Sequence, residues 1–402
     1  MVAGWSFSQQ ELWSPASQGL AAVTVVRMLQ YRDTWFLQHL VDHLEEIQGT
    51  EDWHSFLAVV TFLRESCGAQ HLGREEILHC LGILSSNAFN ISSNRARALF
   101  PTLALFNHSC SPNSRHIVSS EERAVEVLAQ RDIKKGEVIS IRYTWTTQVL
   151  EPLAERRAFI SSQWHFSCCC SRCSDTSAAG CLAALVCQLC QGSLVCLQPL
   201  ASDSQWGCDR CAATITATEA QLRVDKVAAT LKKIGKSDVR RLESFLGAAA
   251  RILHPCHSLV LGVKRSLFSL YGSSQGLSQG ELSQDQVARK LLLGQEYISA
   301  VTKVDPGITR WRAQMLYEMN RFKLVSSLQS LQSRAVGVEG FLELVTVSVG
   351  ELEEAVVGLT GERIGGGGGK LKSRLEGLSK AEVLGPGYSH ILNIVLKLPF
   401  LS

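Results

Sequence analysis

Apolar positions recur at steps of three and four along the first quarter of the chain. "LAAVTVVRMLQ", "TWFLQHLVDHLEEI", "WHSFLAVVTFL" and "REEILHCLGIL" all carry this period, so the stretch from about Pro15 to Ile91 reads as helical. Gly68 and Gly73 mark a break within it. His39 and His43 fall four apart in the second segment and read as the polar flank of one helix face rather than as a metal site. From Ala98 to Tyr143 the period changes. "RHIVSS", "RAVEVLA" and "EVISIRY" are short, β-rich and separated by "SSEER" and "KKGE", a pattern that predicts three strands joined by tight turns. "LEPLAERRAFISSQW" then returns to the helical pattern.

The zone from Phe166 to Cys211 has no clear period and is rich in cysteine. After Thr214 the helical pattern resumes and is expected to continue to the end. "ATEAQLRVDKVAATLKKI", "VRRLESFLGAAARIL", "SLVLGVKRSLFSLYG", "SQDQVARKLLLGQEYISAVTKV" and "TRWRAQMLYEMNRFKLVSSLQSL" each read as an amphipathic helix. Together they predict an array of antiparallel helices, repeat-like but without a strict period. "GGGGG", Gly365 to Gly369, reads as a flexible hinge before a last basic helix.

A length of 402 residues allows two or three domains, and an apolar fraction of 46% supports a real core. The net charge of +3 argues against a broad nucleic-acid-binding face, so nucleic acid is not expected as a direct ligand. No apolar run approaches the ~18–20 residues needed to span a bilayer, and no membrane partner is expected. "MVAGWSFSQQELW" lacks the basic region and greasy stretch of a secretory signal. The expectation is a soluble intracellular protein, cytoplasmic and/or nuclear.

Fourteen cysteines change the picture. In a reducing compartment, clustered thiols point to zinc rather than to disulfides. Cys187-x-x-Cys190 and Cys208-x-x-Cys211 are separated by seventeen residues. Two residues between thiols let a tight turn aim both sulfurs at one ion, and four thiolates make a closed, structural site. Trp206 can shield one side of it. Cys168-x-Cys170-x-x-Cys173 leaves a tetrahedral ion one ligand short, with Cys110, Cys169 and His165 as candidates for the fourth place. The zone is expected to fold around metal rather than around a large apolar core.

"NHSCSPN", Asn107 to Asn113, places an amide, an imidazole and a thiol at the end of the apolar run "LFPTLALF". Buried without partners, each such group costs roughly 1–3 kcal/mol. If the Cys110 sulfur completes the three-thiol site, metal clamps this stretch to the cysteine-rich zone and holds Asn107 and His108 beside Phe166.

"LFPTLALFNHSCSPN", "AQRDIKKGEVISIRYT" and "ERRAFISSQWHFSCCCSRC", in that order, resemble the second half of the SET domain and the post-SET segment of SET- and MYND-domain (Smyd-type) protein-lysine methyltransferases. "NAF", Asn87 to Phe89, and "LHPCHSLV" fit the same family, and the extra "CQLC…CDRC" knuckle looks like its arthropod Smyd-A branch. The resemblance implies an α+β fold. It would have a β-rich SET core (the C-terminal half) with a helical insertion, a zinc-bound post-SET segment and an α-helical C-terminal domain. The boundaries would fall at 1–97, 98–150, 151–214 and 215–402. It further implies S-adenosylmethionine as cofactor, touched by Asn87, Asn107 and His108, with Phe166 against the adenine and Tyr143 as both cofactor contact and catalytic hydroxyl. Cys110, Cys168, Cys170 and Cys173 would share one zinc, which with Cys187, Cys190, Cys208 and Cys211 makes two structural sites.

The implied function is S-adenosylmethionine-dependent N-methylation of lysine in a protein or peptide, histones included. The helical tail would offer a groove to a peptide partner. The alternative is a non-catalytic, zinc-stabilised interaction scaffold. The family begins with a Gly-rich stretch and an inserted MYND zinc module. No Gly-x-Gly lies near the start here and the first cysteine is Cys67, so the chain reads as lacking that N-terminal half. Val138 stands where the family often has Glu, and Arg142 where it often has Ser or Cys, so Arg142 is expected to alter the channel.

Overall fold

In a computed structural model the chain is described over residues 18–91, 96–119, 124–144, 149–177, 182–201, 203–274, 277–278 and 281–359. The Gly365–Gly369 stretch and the helix expected after it lie outside these residues.

The front of the chain forms α1 (Gln18–Leu29), α2 (Trp35–His39), α3 (Leu44–Ile47), α4 (Glu51–Thr61) and α5 (Arg74–Asn87). The Thr50 hydroxyl accepts the Trp53 N–H and starts α4, with Glu51 and Asp52 at the positive end of the helix dipole. Val25, Met28, Phe56, Val59, Ile77 and Leu81 close one apolar core among these helices. The single helix expected over "TWFLQHLVDHLEEI" is broken. The Asp42 carboxylate accepts the Leu44 N–H at 3.3 Å, and His43 turns into the left-handed region (φ 52). An Asp that bonds the backbone locally competes with the helix. His39 and His43 therefore do not share a helix face.

Next come β1 (Ala88–Ile91), antiparallel to β2 (Ala96–Leu99), then β3 (Asn107–His108), and a hairpin of β4 (Ser114–Ser119) and β5 (Ala124–Ala129). "EVISIRY" does not add a third strand to that hairpin. Only Ser140–Ile141 (β6) is extended, and it pairs in parallel with β3, Asn107 opposite Ser140 and His108 opposite Ile141. The Asn113 side chain stands in for the missing antiparallel rungs. Its Nδ2 donates to Glu137 Oε1 and to the Val138 carbonyl, both at 2.9 Å, and its Oδ1 accepts the Ser140 N–H at 2.9 Å. The buried polar end of "NHSCSPN" thus finds its partners 24 to 27 residues away.

After α6 (Leu153–Trp164), β7 (Leu185–Val186), β8 (Ser193–Cys196), β9 (Trp206–Cys208) and β10 (Thr214–Ile215) form an antiparallel sheet in the order β10-β9-β8-β7. Then follow α7 (Ala217–Lys232), α8 (Val239–Ala249) and α9 (Ser258–Leu270). A small hairpin, β11 (Ser273–Ser274) with β12 (Leu277–Ser278), precedes α10 (Gln284–Val304), α11 (Arg310–Gln332) and α12 (Val338–Leu359). The hairpin interrupts the expected all-helical tail at Gly272, whose φ of +101 suits glycine. Leu182, Leu185, Cys187 and Leu194 share one apolar core with Leu253, Leu261, Phe268, Leu293 and Tyr297 of the tail. The cysteine-rich zone is therefore a wall of a large core, contrary to the expectation that metal alone organises it.

The tail seats on the β4–β5 hairpin. Arg115 of β4 donates to the Val357 and Gly358 carbonyls at 2.8 and 2.7 Å, a cation at the negative end of α12. The Ile308 N–H donates to the Gln130 carbonyl at 3.0 Å, and Gly307 (φ +98) lies so close that a Cβ would run into that carbonyl. Among the described residues no helix is long and apolar enough to cross a membrane.

Candidate active site and metal centres

The β3–β6 pair brings "NHSC" and "IRY" together. The Tyr143 N–H donates to His108 Nδ1 at 3.0 Å. His108 Nε2 lies 3.4 Å from Cys110 Sγ. With Nδ1 accepting, the ring proton sits on Nε2 and points at sulfur; the tautomer is assigned from these partners. The Tyr143 hydroxyl donates to the Phe106 carbonyl at 2.5 Å, and burial raises its pKa above the ordinary value. Three rings surround the Tyr143 ring, centroid to centroid at 5.2 Å (His108), 5.4 Å (Trp164) and 6.5 Å (Phe166). Asn107 is exposed at the start of β3, one residue before this nest.

Asn87 ends α5. Its amide nitrogen donates to Val41 O at 2.8 Å and Ile83 O at 3.1 Å, which leaves Oδ1 as the group it can offer a ligand. The loop it holds carries His43, whose ring is 5.0 Å from that of His165. Asn87 is thus linked to His165, which lies between Trp164 and Phe166 in sequence, through that loop and not by direct contact of its amide nitrogen.

The sulfurs of Cys110, Cys168, Cys170 and Cys173 all lie within 4.8 Å of one another. Cys110 Sγ is 3.6 Å from Cys173 Sγ and 4.0 Å from Cys168 Sγ. A tetrahedral zinc with bonds of ~2.3 Å needs sulfurs about 3.8 Å apart. Cys169 is exposed and His165 faces His43, so the fourth sulfur at this cluster is that of Cys110. Two buried guanidiniums close on the cluster. Arg156 Nη2 is 3.7 Å from Cys173 Sγ, and Arg172 donates to the Cys110 and Val149 carbonyls at 3.2 and 2.5 Å. Burial works against the Arg156 charge, but the Cys110 and Cys173 sulfurs outweigh it and raise its pKa. Burial and the Arg156 and Arg142 charges push Arg172 down to about 9. A divalent ion with four thiolates carries a charge of about −2, and two adjacent guanidiniums balance it. The donor set and its surroundings fit zinc.

The second cluster, Cys187, Cys190, Cys208 and Cys211, is equally tight, all sulfurs within 4.8 Å. Its support is backbone rather than arginine. The Gly192 N–H donates to Cys190 Sγ and the Arg210 N–H to Cys208 Sγ, both at 3.4 Å. Gln191 adopts φ 59 to make the first of these turns. Trp206 of β9 joins the apolar core on which these cysteines pack.

Residues 21–144 match the family model of the SET domain, ending one residue beyond Tyr143. The chain is 30% identical over 213 residues to the SET domain-containing protein SmydA-8, isoform A, of Drosophila melanogaster, covering 51% of this chain and 44% of that one. Residues 21–144 of this chain carry a SET domain, and Smyd proteins are among its relatives. It is also 38% identical over 104 residues to the N-lysine methyltransferase SMYD2-B of Danio rerio, covering 25% of this chain and 21% of that protein. The Potential protein lysine methyltransferase SET6 of Saccharomyces cerevisiae is 36% identical over 108 residues, covering 24% of this chain and 27% of SET6. The chain spans less than half the length of these relatives.

Four residues around the SET-domain site escaped the sequence reading. Trp164 closes the aromatic nest, and "QWHF" carried that signal. Arg172 lies inside the cysteine run "CCCSRC" and was legible as a candidate counter-charge. Arg156 left no such trace in a helix of ordinary charge pattern. Asp305 is 163 residues from its partner: Arg142 Nη2 reaches its Oδ1 at 2.5 Å. The charge of Arg142 is therefore directed at the helical tail.

Proposed function

We propose that this chain is an S-adenosylmethionine-dependent protein-lysine N-methyltransferase built on a SET core at 98–150. In this reading 1–97 is a helical insertion, 151–214 a segment with two structural zinc sites, and 215–402 a helical domain. The supporting observation is the junction at β3 and β6, where the Tyr143 N–H rests on His108 with the Cys110 sulfur behind that ring. Relatives named as lysine methyltransferases favour the same reaction class.

S-adenosylmethionine, when bound, supplies an electrophilic methyl group beside a positive sulfur. Asn87, Asn107 and His108 would contact it, with Phe166 against its adenine. The chain's own task is alignment and desolvation. A lysine acceptor has a pKa of ~10.4, so presenting its neutral amine at pH 7 costs roughly 4–5 kcal/mol. Withdrawal of the amine from water in a closed channel would disfavour the ammonium and lower that cost. The Tyr143 proton is committed to the Phe106 carbonyl. Its oxygen lone pairs are then left to accept from the amine and orient the nitrogen. In-line transfer gains most from such orientation. Each zinc, closed by four sulfurs, stabilises and does not react.

Titration calorimetry of the full chain with S-adenosylmethionine tests this reading. Saturable heat and a thermal shift are expected, and both should weaken in Phe166→Ala. Radiolabelled methyl transfer to a lysine peptide library should fall about a hundredfold in Tyr143→Phe. Absence of heat at millimolar cofactor overturns the proposal.

A further inference from the structure

The tail meets the proposed site at one buried ion pair. Arg142 and Asp305 are bonded at 2.5 Å with side chains only 10% and 6% exposed. Arg142 sits between Ile141, the last rung of β6, and Tyr143. The ladder ends at Ile141, so the position of residue 143 depends on what holds residue 142. Asp305 is itself fixed from both sides. Its N–H donates to the Val301 carbonyl at 2.8 Å, and two and three residues on, Gly307 and Ile308 lie against the Gln130 carbonyl. Gln130 in turn donates its N–H to the Asn113 carbonyl at 2.9 Å. Arg172, which holds the Cys110 carbonyl, also acts electrostatically on Asp305 and on Arg142.

We infer that Asp305, in the turn between α10 and α11, is a positioning residue for Tyr143, so that the helical tail sets the geometry of the proposed methyl-transfer site. The inference rests on the methyltransferase reading for its effect on rate, though not for its geometry. Without the carboxylate, Arg142 would be a buried, unpaired charge and would turn toward water. The backbone at 142–143 moves with it. The Tyr143 N–H then leaves His108, and the hydroxyl loses its seat on Phe106. Asp305 touches no reacting atom, and acts through Arg142.

The test compares Asp305→Asn, Asp305→Glu and the swap Arg142→Asp with Asp305→Arg, all in the full chain. Asp305→Asn is expected to lower kcat about ten- to a hundredfold with peptide KM within about twofold of wild type. Asp305→Glu and the swap should recover most of the loss. A second readout needs no activity. In protein labelled with 15N-histidine, the His108 Nδ1 resonance should move in Asp305→Asn and return in Asp305→Glu. Should Asp305→Asn fail to fold, the pair Arg142→Leu with Asp305→Leu removes both charges, and the same resonance should still move. An unmoved His108 resonance overturns the positioning role, and so does an unchanged kcat in an active enzyme. If wild type neither binds cofactor nor transfers methyl groups, the functional reading fails while the resonance still decides the geometry.

Discussion

Asn113 bonds the backbone of Ser140 as a strand would: its Oδ1 accepts the Ser140 N–H at 2.9 Å while its own carbonyl takes the Gln130 N–H at 2.9 Å. The residue is 1% exposed, so no water replaces it. Asn113→Ala leaves the Ser140 N–H and the Val138 carbonyl without this partner. An unfolding stability lower by about 2–4 kcal/mol is expected from chemical denaturation. Asn113→Asp keeps the acceptor but sets a second carboxylate against Glu137, and should be no milder.

Metal content separates the two cysteine clusters. Native mass spectrometry should find about two zinc ions per chain. Cys187→Ser should remove one ion and spare the other, since the second cluster shares no ligand with the first. A single ion that survives both Cys187→Ser and Cys208→Ser, with none lost, would rule out the second centre.

Arg156 is expected to govern how firmly the first cluster keeps its ion. It is 4% exposed and its guanidinium lies 3.7 Å from the Cys173 sulfur. Arg156→Met removes the counter-charge without leaving a hole of any size. Competition with a chromogenic chelator should show about ten- to a hundredfold weaker zinc binding at that site. The second cluster, supported by backbone N–H groups, should keep its affinity.

His257 gives the fold an acid limit. It caps α9, its Nδ1 accepting the Leu259 N–H at 3.2 Å, and burial pushes its pKa down to about 4, helped by the neighbouring His254. The unfolded value is ~6.5. Between those two values the unfolded chain takes up a proton that the folded one refuses. Stability therefore rises with pH across this window and is lost as pH falls from ~6.5 toward 4, by about 2–3 kcal/mol in total. His257→Asn keeps a capping oxygen and should flatten that limb in pH-dependent urea denaturation.

Much of the architecture was legible because its causes are local. α4 and α7 to α10 follow the apolar period, and Thr216, Asp238 and Ser283 announce three of them as caps. What stayed hidden depends on distant partners. The break at Asp42 and His43 is held by His79, whose Nδ1 meets the Asp42 carboxylate at 2.7 Å from 37 residues away. The third strand changed partners because one side chain, Asn113, occupies the gap beside it. The residues alone left Cys110, Cys169 and His165 open as the fourth member of the first cluster; the family resemblance pointed to Cys110, and the fold places its sulfur there. Arg142 was visible as an oddity, and Asp-Pro-Gly at 305–307 marks a turn, but nothing local says that the Asp305 carboxylate meets an arginine 163 residues away.

The parallel pair of β3 and β6 is two rungs long. So short a ladder has almost no intrinsic preference for one alignment, and a slip by one residue reverses which way every side chain points. Its alignment is imposed from beyond its ends, by Asn113 on one side and by Tyr143 against His108 on the other. Domain swaps, loop grafts or split-protein joints introduced next to either rung would scramble the reactive junction while leaving every helix intact. Engineering of this chain should cut elsewhere.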